Sequence, residues 1–367
     1  MTPAPGPTRR TLADGRYVFY FDDADTTHTR TAHDLRELPS ATNESQMRYD
    51  VLTGEWITMA SHRMTRTHLP TAAECPLCPT TRAGAPTEIP EANYDVAVFE
   101  NRFPSFVPAQ DELSSANRFG PDDRRAVGHC EVMCFSSDHT ASVGELPAER
   151  LRTIVRAWIS RTEELSANPS VEQVFCFENR GEEIGVTLTH PHGQIYAYPY
   201  VPPRTQAMLV QADKHFQSTG RSLLADVLAF ERQDGSRVVY SGKHWNAYVP
   251  AAARWPIEIH LAPHRDVPDL PSLNTEEREE LAYVYQDLLQ RIDSFYPGID
   301  RVPYIAAWHQ APIRVDRHLG RLHLQLFSIL RAPGKLKYLA GSESAMGAWI
   351  NDTVPEAVAT RLRELAL

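Results

Sequence analysis

Thr187-Leu-Thr-His-Pro-His-Gly-Gln-Ile-Tyr196 is the stretch on which the reading of this 367-residue chain turns. Two histidines flank Pro191, and Gly193 and Gln194 follow. Proline fixes its own φ and drives the residue before it, His190, towards extended backbone. Ile195-Tyr-Ala-Tyr198 then reads as a β-strand of β-branched and aromatic residues. In an extended segment His190, His192 and Gln194 share one face, unless Gly193 breaks the alternation. A neutral imidazole is a good nucleophile towards phosphorus, and a better one when its second nitrogen donates to a fixed carbonyl. A nearby amide can donate to a phosphoryl oxygen as charge develops there. Taken alone, the same pattern also fits a buried histidine pair satisfied by backbone groups.

Composition bounds the alternatives. With 42% hydrophobic and 23% charged residues the chain reads as a soluble globular protein, of two ordinary domains or one large one. No apolar run approaches the length of a membrane span. Residues 1–15 are expected to be a loose tail, and the first ten lack the apolar core of a signal peptide. A net charge of −10 argues against a nucleic-acid partner, so any phosphate must be met by local arginines and lysines. The odd number of cysteines, five, points to a reducing cytoplasm without disulfides.

Outward from the central stretch, the chain alternates strands and helices. Met47–Met59 is hairpin-like, with Leu52-Thr-Gly-Glu55 as its turn. Arg63 and Arg66 follow, at a spacing that can clamp a phosphate. Cys75-Pro-Leu-Cys78 is a CxxC knuckle of the kind that puts two thiolates on one tetrahedral metal, although two further ligands are needed. Strands are expected at 94–99, 130–135 and 174–177, and an amphipathic helix at 145–167 with Leu151, Ile154, Val155, Trp158 and Ile159 inward. The later chain repeats this order. Strands at 245–250 and 257–264 precede a helix over 275–294, capped by Asn274 and Glu277, and His323-Leu-Gln325 repeats His192-Gly-Gln194. The repeat predicts an α+β fold of two half-domains, 16–205 and 206–367, each an antiparallel sheet with flanking helices.

Taken together, these segments resemble the galactose-1-phosphate uridylyltransferase family, a branch of the histidine-triad superfamily. Leu52-Thr-Gly-Glu-Trp-Ile57, Ser61–Arg66, Cys75–Cys78, Phe99-Glu-Asn-Arg-Phe103, Cys134–His139, Phe177-Glu-Asn-Arg-Gly181, His190-Pro-His-Gly-Gln194 and Lys337–Glu343 carry the resemblance across roughly residues 47–345. It implies duplicated histidine-triad-like halves and a ping-pong uridylyl transfer between UDP-glucose and galactose 1-phosphate. His192 would be the nucleophile, and Gln194 the donor to the uridylyl phosphoryl oxygen. It further implies a structural zinc ion on Cys75, Cys78, His139 and His190. Arg63 and Arg66 match phosphate-binding positions; Phe99, Asn101, Asn179 and Thr187 match nucleotide-pocket positions. Lys337, Tyr338 and Glu343 match a hexose-phosphate segment that the family supplies from the neighbouring subunit of a homodimer.

The chain also departs from the family. Arg102 stands where many members have aspartate, and Ser342 replaces an aromatic residue near the sugar. Some members hold iron through a glutamate and three histidines. Here only His309 and His323 match, with Gln325 at the other C-terminal histidine position, so a second metal site is expected to be degraded or empty. A related transferase or phosphorylase of ADP-sugars or dinucleoside polyphosphates would use the same histidine. A hydrolase of the triad type would want histidine at Gln194, and a silent zinc-stabilised module need not keep His192 and Gln194 together.

Overall fold

A computed structural model describes residues 6–38, 45–65, 68–81, 84–108 and 115–366. The chain opens with strands β1 (Thr8–Thr11) and β2 (Tyr17–Phe21), then a hairpin of β3 (Gln46–Asp50) and β4 (Glu55–Met59). Next come β5 (Val96–Glu100), the short β6 (Arg124–Arg125), β7 (His129–Cys134) and helix α1 (Ala148–Ser166). They are followed by β8 (Gln173–Arg180), β9 (His192–Tyr198), α2 (Pro203–Thr219) and α3 (Leu223–Asp234). The second half continues with β10 (Val238–Ser241), β11 (Trp245–Tyr248), β12 (Ile257–Pro263) and α4 (Thr275–Asp293). It ends with β13 (Tyr304–His309), β14 (His323–Ser328), β15 (Leu330–Ala332), β16 (Lys335–Leu336), α5 (Gly341–Met346) and α6 (Pro355–Glu364).

Eleven strands form one antiparallel sheet, in the order β1-β2-β5-β7-β9-β8-β13-β14-β12-β11-β10. The two halves meet at β8 and β13. Across the sheet, Phe99, Val132, Gln194 and Phe177 form one lateral row that continues into Ala307, Gln325, His260 and Tyr248. The second half of that row mirrors the first, glutamine against glutamine. This is the duplication expected from the sequence, expressed as strand register.

Paired residues in a row point to the same face, and successive residues along a strand to opposite faces. On β9, Ile195 and Ala197 therefore enter the core while His192 and Gln194 lie on the other side. The core face is covered by α1 and α4. Leu151, Ile154, Val155, Trp158 and Ile159 of α1 and Leu281, Val284, Tyr285, Leu288 and Ile292 of α4 are all buried there, as their spacing predicts. Trp158 lies edge-on to Tyr285 at 5.4 Å between ring centroids, and both helices thereby meet Trp308 of β13. Burying each such side chain stabilises the fold by roughly 1.5–3 kcal/mol. Asn274 and Glu277 form a reciprocal capping box at the start of α4.

Three elements differ from expectation: β1, α2 and α3. The loose tail gives way at Thr8, where β1 pairs with β2 from Thr8↔Tyr20 to Thr11↔Tyr17. Arg9 lies 4.7 Å from the Tyr17 ring centroid and Arg10 Nε donates to the Arg30 carbonyl, so the arginines anchor the strand. Helices α2 and α3, which the sequence reading passed over, pack against the second half. They bury only Thr205, Leu209, Leu228 and Glu231, too few positions for a clear apolar stripe.

Candidate functional site

The turn before β9 brings the CxxC knuckle, the loop after β7 and the His-Pro-His segment together. One ligating atom each from Cys75, Cys78, His139 and His190 lies within 4.8 Å of the others, and this is the only such group among the described residues. Cys78 Sγ is 3.3 Å from His139 Nδ1 and 3.6 Å from His190 Nδ1. Thiolate and imidazole ligands on a tetrahedral ion stand roughly 3.4–3.8 Å apart, so the donor set fits a closed structural metal site.

The protein side supports the same reading. Burial and the neighbouring Cys75 push the Cys78 thiol up to about 12, so an ion binding there releases a proton as the thiolate forms. Burial lowers His190 to about 4 and keeps it a neutral ligand. His190 Nε2 donates to the Ser136 carbonyl at 2.8 Å, which leaves Nδ1 as the lone pair facing the sulfur atoms. The buried Tyr94 hydroxyl, 2.9 Å from the same Nε2, donates to the Leu77 carbonyl. Tyr94 and Ser136 were not anticipated: one sits before a strand, the other offers only its backbone, and neither has a local signal.

His190 also carries the next link. His192 Nδ1 is 2.7 Å from the His190 carbonyl, so Nδ1 holds the proton and Nε2 keeps its lone pair. Burial holds His192 below the ordinary imidazole range, against the opposing pull of that carbonyl. Gly193 lets the strand pass this point: a Cβ there would stand 2.8 Å from the Phe135 ring and 2.8 Å from the Phe177 carbonyl. His192 and Gln194 then share the face opposite the core.

His192 lies where two clefts meet. One, of about 170 Å³, is lined by Arg63, Phe99, Asn101, Thr187, His192 and Gln194, six of the residues singled out from the sequence. Arg102 and Glu88 stand in the same cleft, their charged atoms 3.7 Å apart, and Glu88 also pairs with Arg16 and Arg36. The other, of about 300 Å³, is lined by Asn179, His190 and His192 and by Glu178, Arg180 and Arg301. Arg63 Nη1 donates to the Phe103 carbonyl at 2.8 Å. Arg66 lies outside the described residues.

Lys337, Tyr338 and Glu343 line neither cleft. Lys337 is buried, its Nζ donating to the Arg254 carbonyl at 2.6 Å and lying 3.8 Å from Glu343 Oε1. Tyr338 is 71% exposed, so of the three it alone presents its side chain outward. In the second half, His309 and His323 stack at 4.9 Å between centroids, and Gln325 Nε2 donates to His323 Nε2 at 3.2 Å.

With this geometry the chain can be set beside known proteins. The family model for the galactose-1-phosphate uridyl transferase N-terminal domain matches residues 35–202, and the C-terminal one matches residues 209–367. The chain is 45% identical over 373 residues to galactose-1-phosphate uridylyltransferase of Streptomyces lividans, with 98% of each chain covered. It is 34% identical to the Thermotoga maritima protein of the same name, covering 87% of this chain and 98% of that one. A solved uridylyltransferase superposes with a TM-score of 0.77 at 30% identity, covering 87% of this chain and 98% of that chain. No helix among the described residues is long and apolar enough to cross a membrane. Family models on both halves and a close relative over nearly the whole length place the chain in the galactose-1-phosphate uridylyltransferase family.

Proposed function

We propose that this chain is a nucleotidyltransferase that moves a uridylyl group between UDP-glucose and galactose 1-phosphate by a ping-pong mechanism. The observation that carries the reading is the 2.7 Å contact from His192 Nδ1 to the His190 carbonyl, which leaves Nε2 as the lone pair at the junction of the two clefts. Nε2 attacks the α-phosphorus of UDP-glucose; an N–P bond forms, the bridging P–O bond breaks, and glucose 1-phosphate leaves. A phosphate oxygen of galactose 1-phosphate then attacks the same phosphorus, the N–P bond breaks, and UDP-galactose departs. Gln194 donates to the phosphoryl oxygen as charge builds. Arg63 and Arg66 hold the phosphates, and Phe99, Asn101, Asn179 and Thr187 hold the nucleotide.

Zinc on Cys75, Cys78, His139 and His190 is the ion that suits two thiolates and two imidazoles, in a structural role. Lys337, Tyr338 and Glu343 belong to the segment that serves the hexose phosphate of the neighbouring protomer in a homodimer, and Tyr338 is the one of the three that faces outward. Five free cysteines support a reducing, cytoplasmic setting.

The test is release of glucose 1-phosphate from UDP-glucose with galactose 1-phosphate withheld. A burst of about one equivalent per site that then stops is expected for a covalent intermediate. Continuous release would make water the acceptor and overturn the transferase reading. No release from folded, metal-loaded protein would reject the nucleotide or sugar and turn attention to ADP-sugars.

A further inference from the structure

The second half of the sheet carries a larger cavity that the transfer reaction leaves unused. It has a volume of about 840 Å³, is floored by residues of β11, β12 and β14, and is walled by α2 and α3. It shares no lining residue with the two clefts at His192. Its floor is nonetheless their mirror image. Tyr248, His260 and Gln325 occupy the row positions of Phe99, Val132 and Gln194. His323 Nδ1 is 3.0 Å from the Arg321 carbonyl, just as His192 Nδ1 faces the carbonyl of His190.

One difference decides what this floor can do. With Nδ1 protonated, His323 Nε2 accepts from the Gln325 amide at 3.2 Å, so its lone pair is engaged. The counterpart of the nucleophile is capped. Metal chemistry is not indicated either: among the described residues His260, His309 and His323 do not form a ligating group as Cys75, Cys78, His139 and His190 do. What remains is a binding surface.

Its charge is unbalanced. The lining carboxylates are already engaged: Glu231 with Arg237, Asp226 with His215 and Arg221. Glu258, beside the floor, accepts from His260 and from the Arg254 backbone. Arg204 and Arg254 both line the cavity; Glu258 acts on the Arg204 charge, and the Arg254 guanidinium lies 5.7 Å from the Trp349 ring centroid. Arg321, 5% exposed, donates from Nη2 to the Pro263 carbonyl, meets Asp266 only at 3.4 Å through Nε, and leaves Nη1 buried without a hydrogen-bond partner. Burial, followed by cationic and imidazole neighbours, keeps His309 and His323 neutral. The opposite wall is apolar, with Met208, Leu224, Val227 and Phe230, and Phe230 stands 59% exposed.

We propose that this cavity is a second ligand pocket for a small phosphate monoester with an aromatic or apolar body. The phosphate lies against Arg204, Arg254 and Arg321, and the body lies against Met208, Val227 and Phe230. Guanidinium groups match phosphate oxygens in geometry as well as charge, and an apolar wall with a few convergent polar groups is the usual make-up of a small-molecule site.

The probe is phenyl phosphate, titrated calorimetrically into the full-length, metal-loaded protein and its Arg204→Ala, Phe230→Asp and Arg63→Ala variants. Arg204 and Phe230 are exposed, so their replacement leaves the core intact. Arg204→Ala and Phe230→Asp are each expected to weaken, by about tenfold or more, a binding event that Arg63→Ala leaves unchanged. Their glucose 1-phosphate burst is expected to match the parent. Binding lost in Arg63→Ala but kept in the other two would place the phosphate in the His192 cleft and overturn the proposal. So would an absence of binding at millimolar phenyl phosphate, or a second tightly held metal ion that phenyl phosphate does not perturb.

Discussion

His192 Nδ1 sits 2.7 Å from the carbonyl oxygen of His190, the residue whose side chain belongs to the Cys75–Cys78–His139 group. One residue thus faces two ways: its ring towards the sulfur atoms, its backbone towards the next histidine. Orientation of the candidate nucleophile therefore depends on how firmly His190 is held. Tyr94 and the Ser136 carbonyl fix its Nε2, leaving a bound ion to fix Nδ1. A structural metal can in this way govern a reaction that it never touches.

Removal of one thiolate tests this chain of contacts. Cys78→Ala is expected to lose the bound ion, measured by elemental analysis, and to lower the thermal midpoint. Because His190 then loses its anchor, kcat for uridylyl transfer should fall by about 10–100-fold. Full activity in a metal-free variant would sever the proposed link between the ion and His192.

Gly193 offers a test that leaves every polar group in place. A Cβ would stand 2.8 Å from both the Phe135 ring and the Phe177 carbonyl, one of them backbone that cannot swing away. Gly193→Ala should cost about 1–3 kcal/mol in denaturant unfolding. It should also reduce the burst amplitude or rate, since β9 must shift between His192 and Gln194. Unchanged burst kinetics would mean that the two side chains need less exact placement than the geometry implies.

A third expectation concerns stability alone. Asn274 accepts from the Glu277 backbone at 2.9 Å, and the Glu277 side chain accepts from the Asn274 backbone at 2.8 Å. Asn274→Ala removes one arm of this box and should lower unfolding free energy by about 1 kcal/mol. KM for UDP-glucose should not move, because α4 packs on the opposite face of the sheet from His192. A large change in KM would show that the two faces are coupled.

These tests draw on features of unequal legibility in the sequence. The capping box and the inward stripes of α1 and α4 depend on neighbours within a few turns, so spacing alone revealed them. The His-x-Gln repeat foretold the mirrored register because a strand row is fixed once one pair is fixed. Long-range partners were hidden. Nothing local announces that Tyr94 meets His190 across 96 residues, or that Lys337 is caged by the carbonyls of Arg254 and Ile350. Helices α2 and α3 escaped because they wall a cavity and so bury little. Glu178 looked like one residue of a motif, yet its environment is set entirely by the second half of the chain.

That environment gives the last prediction. Glu178 of β8 is buried and accepts from the hydroxyls of Tyr304 at 2.7 Å and Tyr285 at 3.1 Å. Burial pushes its carboxyl up to about 7, outweighing the Tyr304 hydrogen bond and the nearby Arg180, which pull it down. The folded protein therefore holds this proton more tightly than the unfolded chain, where a glutamate titrates near 4.5. Stability from this group is full below the unfolded value and declines as pH rises from about 4.5 to about 7, by roughly 3 kcal/mol at most. Glu178→Gln cannot ionise, so its unfolding free energy should vary less with pH across that window than the parent's. The check is denaturant unfolding of both proteins at pH 5 and pH 8. A parent whose stability rises with pH more steeply than the variant's would mean that Glu178 is ionised in the folded state and held by Arg180, reversing the sign argued here.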